Sequence, residues 1–319
     1  MRTPIEALPA GDLAGRVLAG RYRLTELIGQ GGCASVYAAR DERLDQEVAV
    51  KAWADPDAVT EEGRLTAGLR HPGVITVHGA VTDGELAFLV MERVHGRSLA
   101  QELRDGPLAP DRAVRLCAQL ARTLACVHGD GVVHGDVKPA NVLVGLGDVV
   151  TLTDFGTASP DGARHRDLAH GTVPYLSPEQ VRGDALTAAT DVYAAGLLLL
   201  ECLTGRRAFP GPVEAAARAR LEAGPLVPTY VARDLAALVR RMTALDPTER
   251  PSAEQVAEEL DTRHARPTAV MALTAAGPPT RGQGTAQTTL LHIVCKSVGV
   301  VVEWDACSHP PLDCPCGTA

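Results

Sequence analysis

The chain has 319 residues, 45% hydrophobic and 22% charged, which is ordinary for a globular protein and enough to bury a large core. A formal net charge of -8 argues against a general nucleic-acid-binding surface. No run of 18 apolar residues is present, so no membrane-spanning helix is expected; the longest apolar candidate, residues 290–302, is interrupted by His292 and Lys296.

The first residues, Met1-Arg2-Thr3-Pro4-Ile5-Glu6, lack the apolar stretch of a secretory leader, and a cytoplasmic location is expected. Residues 1–16 read as an N-terminal extension. From residue 22 to 53 the pattern is strand, glycine turn, strand, strand. Arg21-Tyr22-Arg23-Leu24-Thr25-Glu26-Leu27-Ile28 alternates apolar and polar residues as a half-buried strand does. The turn is Gly29-Gln30-Gly31-Gly32-Cys33-Ala34. Asp55-Pro56 is a helix-start signal, and a helix carrying Glu61 and Glu62 is expected to reach about Leu69. Its Gly63 and Gly68 each cost about 1 kcal/mol relative to Ala, so a loosely held helix is expected. Apolar runs at 74–81 and 86–94 flank Thr82-Asp83-Gly84-Glu85, a hairpin signal.

From Ser98 onward the periodicity turns helical. Pro110 to His128 carries Leu116, Leu120 and Leu124 on one face and ends at Gly129. Residues 191–204 are nearly all apolar and predict a buried helix. Ser252 and Gln255 have capping-box spacing and open a helix over 252–263. Residues 265–289 form a Pro/Gly/Thr-rich linker, and 290–319 a tail with Cys295, Cys307, Cys314 and Cys316. Cys314-Pro315-Cys316 lacks the two-residue gap of ribbon-type zinc sites, and no role is assigned to the tail. The other cysteines are dispersed, and Cys117 and Cys126 read as small core residues.

Lysine usage is selective. Only three of 31 basic residues are lysine, and two of them lie in Val48-Ala49-Val50-Lys51 and His134-Gly135-Asp136-Val137-Lys138-Pro139-Ala140-Asn141. A compact ammonium is not interchangeable with a guanidinium fork, so these two positions point to a demand for point charges that fit between phosphate oxygens. The glycine turn, Lys51, the Asp136 segment, Asp154-Phe155-Gly156 and Ser177-Pro178-Glu179 follow in that order.

Over about residues 17–264 this series resembles the eukaryotic-like Ser/Thr protein kinases of bacteria. The resemblance implies an α+β, two-lobed kinase fold, with a small β-rich lobe over 17–94 and a larger helical lobe over 98–264. It implies ATP and Mg²⁺ as cofactors and Ser/Thr hydroxyls of proteins as acceptors. It assigns nucleotide contacts to Ile28, Gly29, Gly31, Gly32, Val36, Ala49, Lys51, Glu92, Val94 and Leu143, with Val36 and Ala49 bracketing the adenine. Lys51 would hold the α and β phosphates, fixed by Glu62 nine residues before His71-Pro72, with Glu61 as the rival. Asp136 would be the base, Lys138 would steady the γ-phosphate, and Asn141 and Asp154 would hold Mg²⁺. Glu179 would pair with Arg250 in the large lobe.

Small-molecule phosphotransferases share the His-Gly-Asp start. Lys138-Pro139 and Gly171-Thr172-Val173-Pro174-Tyr175-Leu176-Ser177-Pro178-Glu179 favour the protein kinases. Ala34 replaces the third glycine of the family's turn, as a small residue that should still fit, and two further features depart from the family pattern. The segment between Lys51 and Glu62 is short, which leaves a catalytically weak nucleotide-binding scaffold as the alternative function. Gly135 stands where many kinases carry an Arg that receives an activating phosphate, and residues 161–170 contain no Ser, Thr or Tyr. Activity is therefore expected not to depend on phosphorylation in that stretch.

Overall fold

The structure, a computed structural model, describes residues 13–30, 34–53, 62–63, 66, 68–83, 86–163, 173–264, 290–295 and 300–305. The chain divides into two compact units, Met1–Pro267 and Thr268–Ala319.

The first unit begins with a six-stranded antiparallel sheet in the order β1-β2-β3-β4-β6-β5. Its strands are β1 Val17–Leu18, β2 Tyr22–Gln30, β3 Ala34–Asp41, β4 Gln46–Trp53, β5 Val77–Asp83 and β6 Leu86–Glu92. The period-two rule sorts β4 cleanly. Val48, Val50 and Ala52 enter a core with Leu18, Leu24, Tyr37, Phe88 and Val90, which Leu13 also joins. Ala49, Lys51 and Trp53 fall on the opposite face. β5 and β6 form the expected hairpin, but the first apolar run enters its strand only at Val77. Val74 instead bridges to Leu152, and Leu152 N donates to Gly73 O at 2.7 Å, so residues 73–75 tie the sheet to the helical lobe. Gly73 is required there, because a Cβ would lie 2.0 Å from the Thr123 hydroxyl.

The helical lobe contains α1 Leu99–Glu102, α2 Pro110–Gly129, α3 Pro178–Arg182, α4 Ala188–Thr204, α5 Val213–Glu222, α6 Arg233–Met242 and α7 Ala253–His264. Short strands cross its top: β7 Gly96–Ser98, β9 Val142–Gly145 and β10 Val150–Leu152 make one sheet, and β8 Val132–Val133 pairs with β11 Ser159–Pro160. α2 and α4 form the centre of the core through Leu116, Leu120, Leu124, Leu197, Leu198 and Leu199. α4 starts at Ala188, a turn earlier than its apolar run suggests, because the Thr190 hydroxyl accepts from Thr187 N at 3.2 Å and caps it. This puts Asp191 inside the first turn, fully buried. α7 opens on the expected box: Gln255 N donates to Ser252 Oγ and Ser252 N to Gln255 Oε1. Cys117 is buried as expected, whereas Cys126 is half-buried at the end of α2.

The second unit contains an antiparallel pair, β12 Leu290–Cys295 and β13 Val300–Asp305, with Cys295 opposite Val300. The expected linker and the other tail cysteines lie outside the described residues, as do the Asp55-Pro56 helix start, Glu61, the turn residues Gly31 and Gly32, and residues 164–172. Among the described residues no helix is long and apolar enough to cross a membrane.

Candidate active site

Lys51 lies on the cleft face of β4 and is almost completely buried. Its ammonium is 3.0 and 2.9 Å from the two oxygens of Glu62 and 2.5 Å from Asp154 Oδ1. Burial alone pushes the Lys51 pKa down; the Asp154 and Glu62 carboxylates outweigh it and hold the pKa above its ordinary value. Burial pushes the Glu62 pKa up, only partly offset by Lys51. For Asp154 the cations prevail over burial, Lys51 first, and its pKa is lowered.

The short Lys51–Glu62 connection does not prevent the pair from forming. Glu62, Gly63, Thr66 and Gly68 are helical, and Thr66 Oγ1 caps inward onto Glu62 O at 2.8 Å. Gly63, read from the sequence as a loosening residue, is a point of close approach. A Cβ there would sit 3.0 Å from Leu89 Cδ1, so the missing side chain lets the helix lie against β6. Gly156 does the same from the other side, where a Cβ would meet Glu62 Oε2 at 3.0 Å. Asp154 itself has φ +68, a left-handed conformation uncommon for Asp, held by its place between Lys51 and Phe155. Phe155 is buried edge-on against His134, with ring centroids 4.6 Å apart.

The loop from His134 to Asn141 is held by long-range hydrogen bonds. Asp191 accepts from His134 N and Gly135 N, both at 2.8 Å, and lies 2.9 Å from His128 Nε2. Burial opposes the Asp191 charge, but these donors, led by His128, keep its pKa below the ordinary carboxylate range. On the other side Gln180 Nε2 donates to Gly135 O at 2.8 Å while its Oε1 accepts from Ser177 N at 2.9 Å. One amide thus joins the Ser177-Pro178-Glu179 segment to the residue before Asp136. Gly135 has φ +75, and a Cβ would lie 3.2 Å from Thr157 O. The absence of Arg at this position is therefore matched by a backbone that favours glycine.

Asp136 is buried, and its two oxygens differ. Oδ2 accepts from Lys138 Nζ at 2.6 Å and Asn141 Nδ2 at 3.1 Å. Oδ1 is buried without a hydrogen-bond partner among the described residues. Asn141 donates its amide nitrogen to Asp136 O as well, at 2.9 Å, which leaves its oxygen as the end suited to a hard cation. Thr153 N donates to Asn141 O at 2.9 Å, bringing Asn141 beside the strand that delivers Asp154. This donor set, an amide oxygen and a partly exposed carboxylate, suits Mg²⁺.

Ala49 packs with Ile75 and Met91, and Ile28, Val36 and Val94 lie against them. This apolar cluster brings four of the expected nucleotide residues together with Ile75 and Met91, which the sequence reading did not name. Met91 was legible in principle, as the direct cross-strand partner of Ala49. Gly29 lies opposite Val36 across β2 and β3, and Leu143 is half-buried on β9. The Glu92 side chain accepts from Thr76 N at 2.8 Å and its N–H donates to Thr76 O at 2.9 Å, so only its carbonyl is left as a group it could offer a ligand. Glu179 meets Arg250 as expected, at 2.7 and 2.9 Å, both buried.

The family model for the protein kinase domain matches residues 22–260. The chain belongs to the protein kinase family. This kinase is 36% identical over 211 residues to the serine/threonine-protein kinase PrkC of Bacillus subtilis, covering 62% of this chain and 33% of that protein. It is 35% identical over 257 residues to PknB of Mycobacterium tuberculosis, covering 73% and 41%. With pkn2 of Myxococcus xanthus it shares 35% identity over 275 residues, covering 78% and 33%. These are bacterial Ser/Thr kinases, and the family uses ATP with Mg²⁺. The chain thus spans between a third and two fifths of the length of the relatives it matches.

Proposed function

We propose that this chain transfers the γ-phosphoryl group of ATP to Ser or Thr hydroxyls of protein substrates in bacterial signalling, on the cytoplasmic side where ATP is available. The observation that carries the reading is Asp136, with one oxygen committed to Lys138 and Asn141 and the other buried but unpartnered. A buried carboxylate oxygen without a donor is costly and fits a position kept for an incoming hydroxyl. Asp136 accepts the acceptor's proton and orients its oxygen. Lys138 stays beside that carboxylate and faces the transferred group. Lys51, held by Glu62, offers its ammonium to the α and β phosphates, and Ile28, Val36, Ala49, Val94 and Leu143 enclose the base, with the backbone from Glu92 to Val94 at its edge. Gly29, Gly31 and Gly32 let backbone N–H groups approach the phosphates. Asn141 and Asp154 would hold Mg²⁺, which when bound supplies charge neutralisation for the phosphates.

The test is incorporation of γ-labelled phosphate into a generic Ser/Thr acceptor protein by the parent, Asp136→Asn and Lys51→Met. Loss of transfer by about 10²–10⁴-fold in Asp136→Asn with ATP binding retained supports the reading. Transfer at the parental rate in both variants overturns it.

A further inference from the structure

Lys51 has a third neighbour beside its two carboxylates. Its Nζ lies 4.5 Å from the centroid of the Trp53 ring, over the face of the indole. Trp53 is two residues further along β4, on the same face, and is itself buried. We propose that Trp53 is a positioning residue for Lys51, holding the ammonium by its π face in the orientation that ATP needs. The proposal rests on the reading of Lys51 as the phosphate-binding lysine.

Three observations lead there. First, the sheet makes room for this side chain. Directly across from Trp53 stand Ala34 on β3 and Ala87 on β6, both small, and the ring packs among Ala34, Val77, Ala87 and Leu89. The indole is thus fixed by the rigid sheet. Second, the other anchor is carried differently. Glu62 sits on a helical segment outside the sheet, which reaches β6 through the close approach of Gly63 to Leu89, whereas Trp53 and Lys51 share one central strand. Third, the partners differ in what they leave of the ammonium charge. Asp154, whose side chain is 38% exposed, is also the candidate cation ligand, and each carboxylate cancels a positive charge that phosphate must use. An aromatic face attracts the cation through its quadrupole and remains uncharged. Trp53 can therefore keep Lys51 in place while leaving its full charge for the phosphates. When Asp154 turns to a cation, Glu62 and Trp53 remain.

A bulky core side chain would occupy the same space without any electrostatic role, and the experiment separates the two. The chain has two tryptophans, so in a Trp304→Phe background Trp53 is the only one. That protein is prepared with tryptophan, 5-fluorotryptophan and more heavily fluorinated tryptophans, which keep the ring's shape and progressively weaken its negative face. Trp53→Phe and Trp53→Leu complete the set. The expected result is a stepwise fall of kcat/KM for ATP with fluorination, about tenfold across the series, with the peptide KM and Tm unchanged. Trp53→Phe falls between tryptophan and Trp53→Leu. A kcat/KM for ATP that does not respond to fluorination overturns the proposal, as does a loss in Trp53→Leu that simply follows its Tm. If Lys51→Met retains parental transfer, the reading of the site fails instead, whatever the fluorination series shows.

Discussion

Two buried ion-pair centres in this kinase are built for opposite purposes. In the cleft, the Lys51 ammonium is shared between Glu62 and Asp154, and the Asp154 side chain is partly open to solvent. In the helical lobe, Arg250 has no exposed side-chain surface. It bonds both oxygens of Glu179 and the carbonyls of Ala244 and Ala189, and it stacks 4.8 Å from the Tyr193 ring centroid. The Thr190 hydroxyl donates to the same Glu179 carboxylate at 3.0 Å. The first centre has a carboxylate that can leave and a neutral ring that stays. The second has its hydrogen-bonding capacity filled by groups fixed in the core. A charge that must change partners is left with surplus acceptors, while a charge that holds structure is saturated.

The comparison breaks most sharply at Lys51. Lys51→Met is expected to lower phosphoryl transfer by about 10²–10³-fold, since an apolar side chain neutralises no phosphate charge. Stability should fall less than at the structural centre, because Asp154 is partly hydrated and burial already raises the Glu62 pKa, so its charge is more easily relinquished than that of Glu179. Initial rates and a urea melt on the same preparation check both halves. Arg250→Met should do the reverse. It strands Glu179 in the core and is expected to cost about 3–5 kcal/mol of stability, while the protein that remains folded keeps its ATP affinity.

Asp191 belongs with the structural centre, and its sign is readable in a pH titration. Its folded pKa lies below the ordinary 3.8. Its contribution to stability is therefore complete above that value and lost as pH falls through the lower folded value. Stability of the parent is expected to drop below about pH 4 with a slope that Asp191→Asn reduces, measured as urea midpoints along the acid limb. A smaller effect is expected at Gly135, where alanine must adopt φ +75 beside Thr157 O. Gly135→Ala should cost about 1–2 kcal/mol, seen as a lower Tm. The smallest expected effect is truncation after Arg266, which should leave the Tm of the first unit and ATP binding where they are. A large drop would show that the second unit supports the first.

Much of this arrangement was legible in the chain itself, for a local reason. Alternation over residues 21–28 marked β2, Asp-Gly marked the β5–β6 hairpin, and Ser252 with Gln255 marked the start of α7. Periodicity and capping act over a few residues, so they survive in sequence. The resemblance of the motifs supplied Glu62 and the Glu179–Arg250 pair as expectations. What only the tertiary structure decided lies in contacts between distant segments. Asp191 reaches Gly135 across 56 positions and Gln180 reaches it across 45, and neither carries a local signal of that task. Gly63 reads as a helix weakener until Leu89 is seen against it. Trp53 reads as an ordinary strand aromatic until the ammonium of Lys51 is found over its ring. Propensity is a property of the backbone near a residue, whereas close approach and shared charge depend on which surfaces the fold brings together.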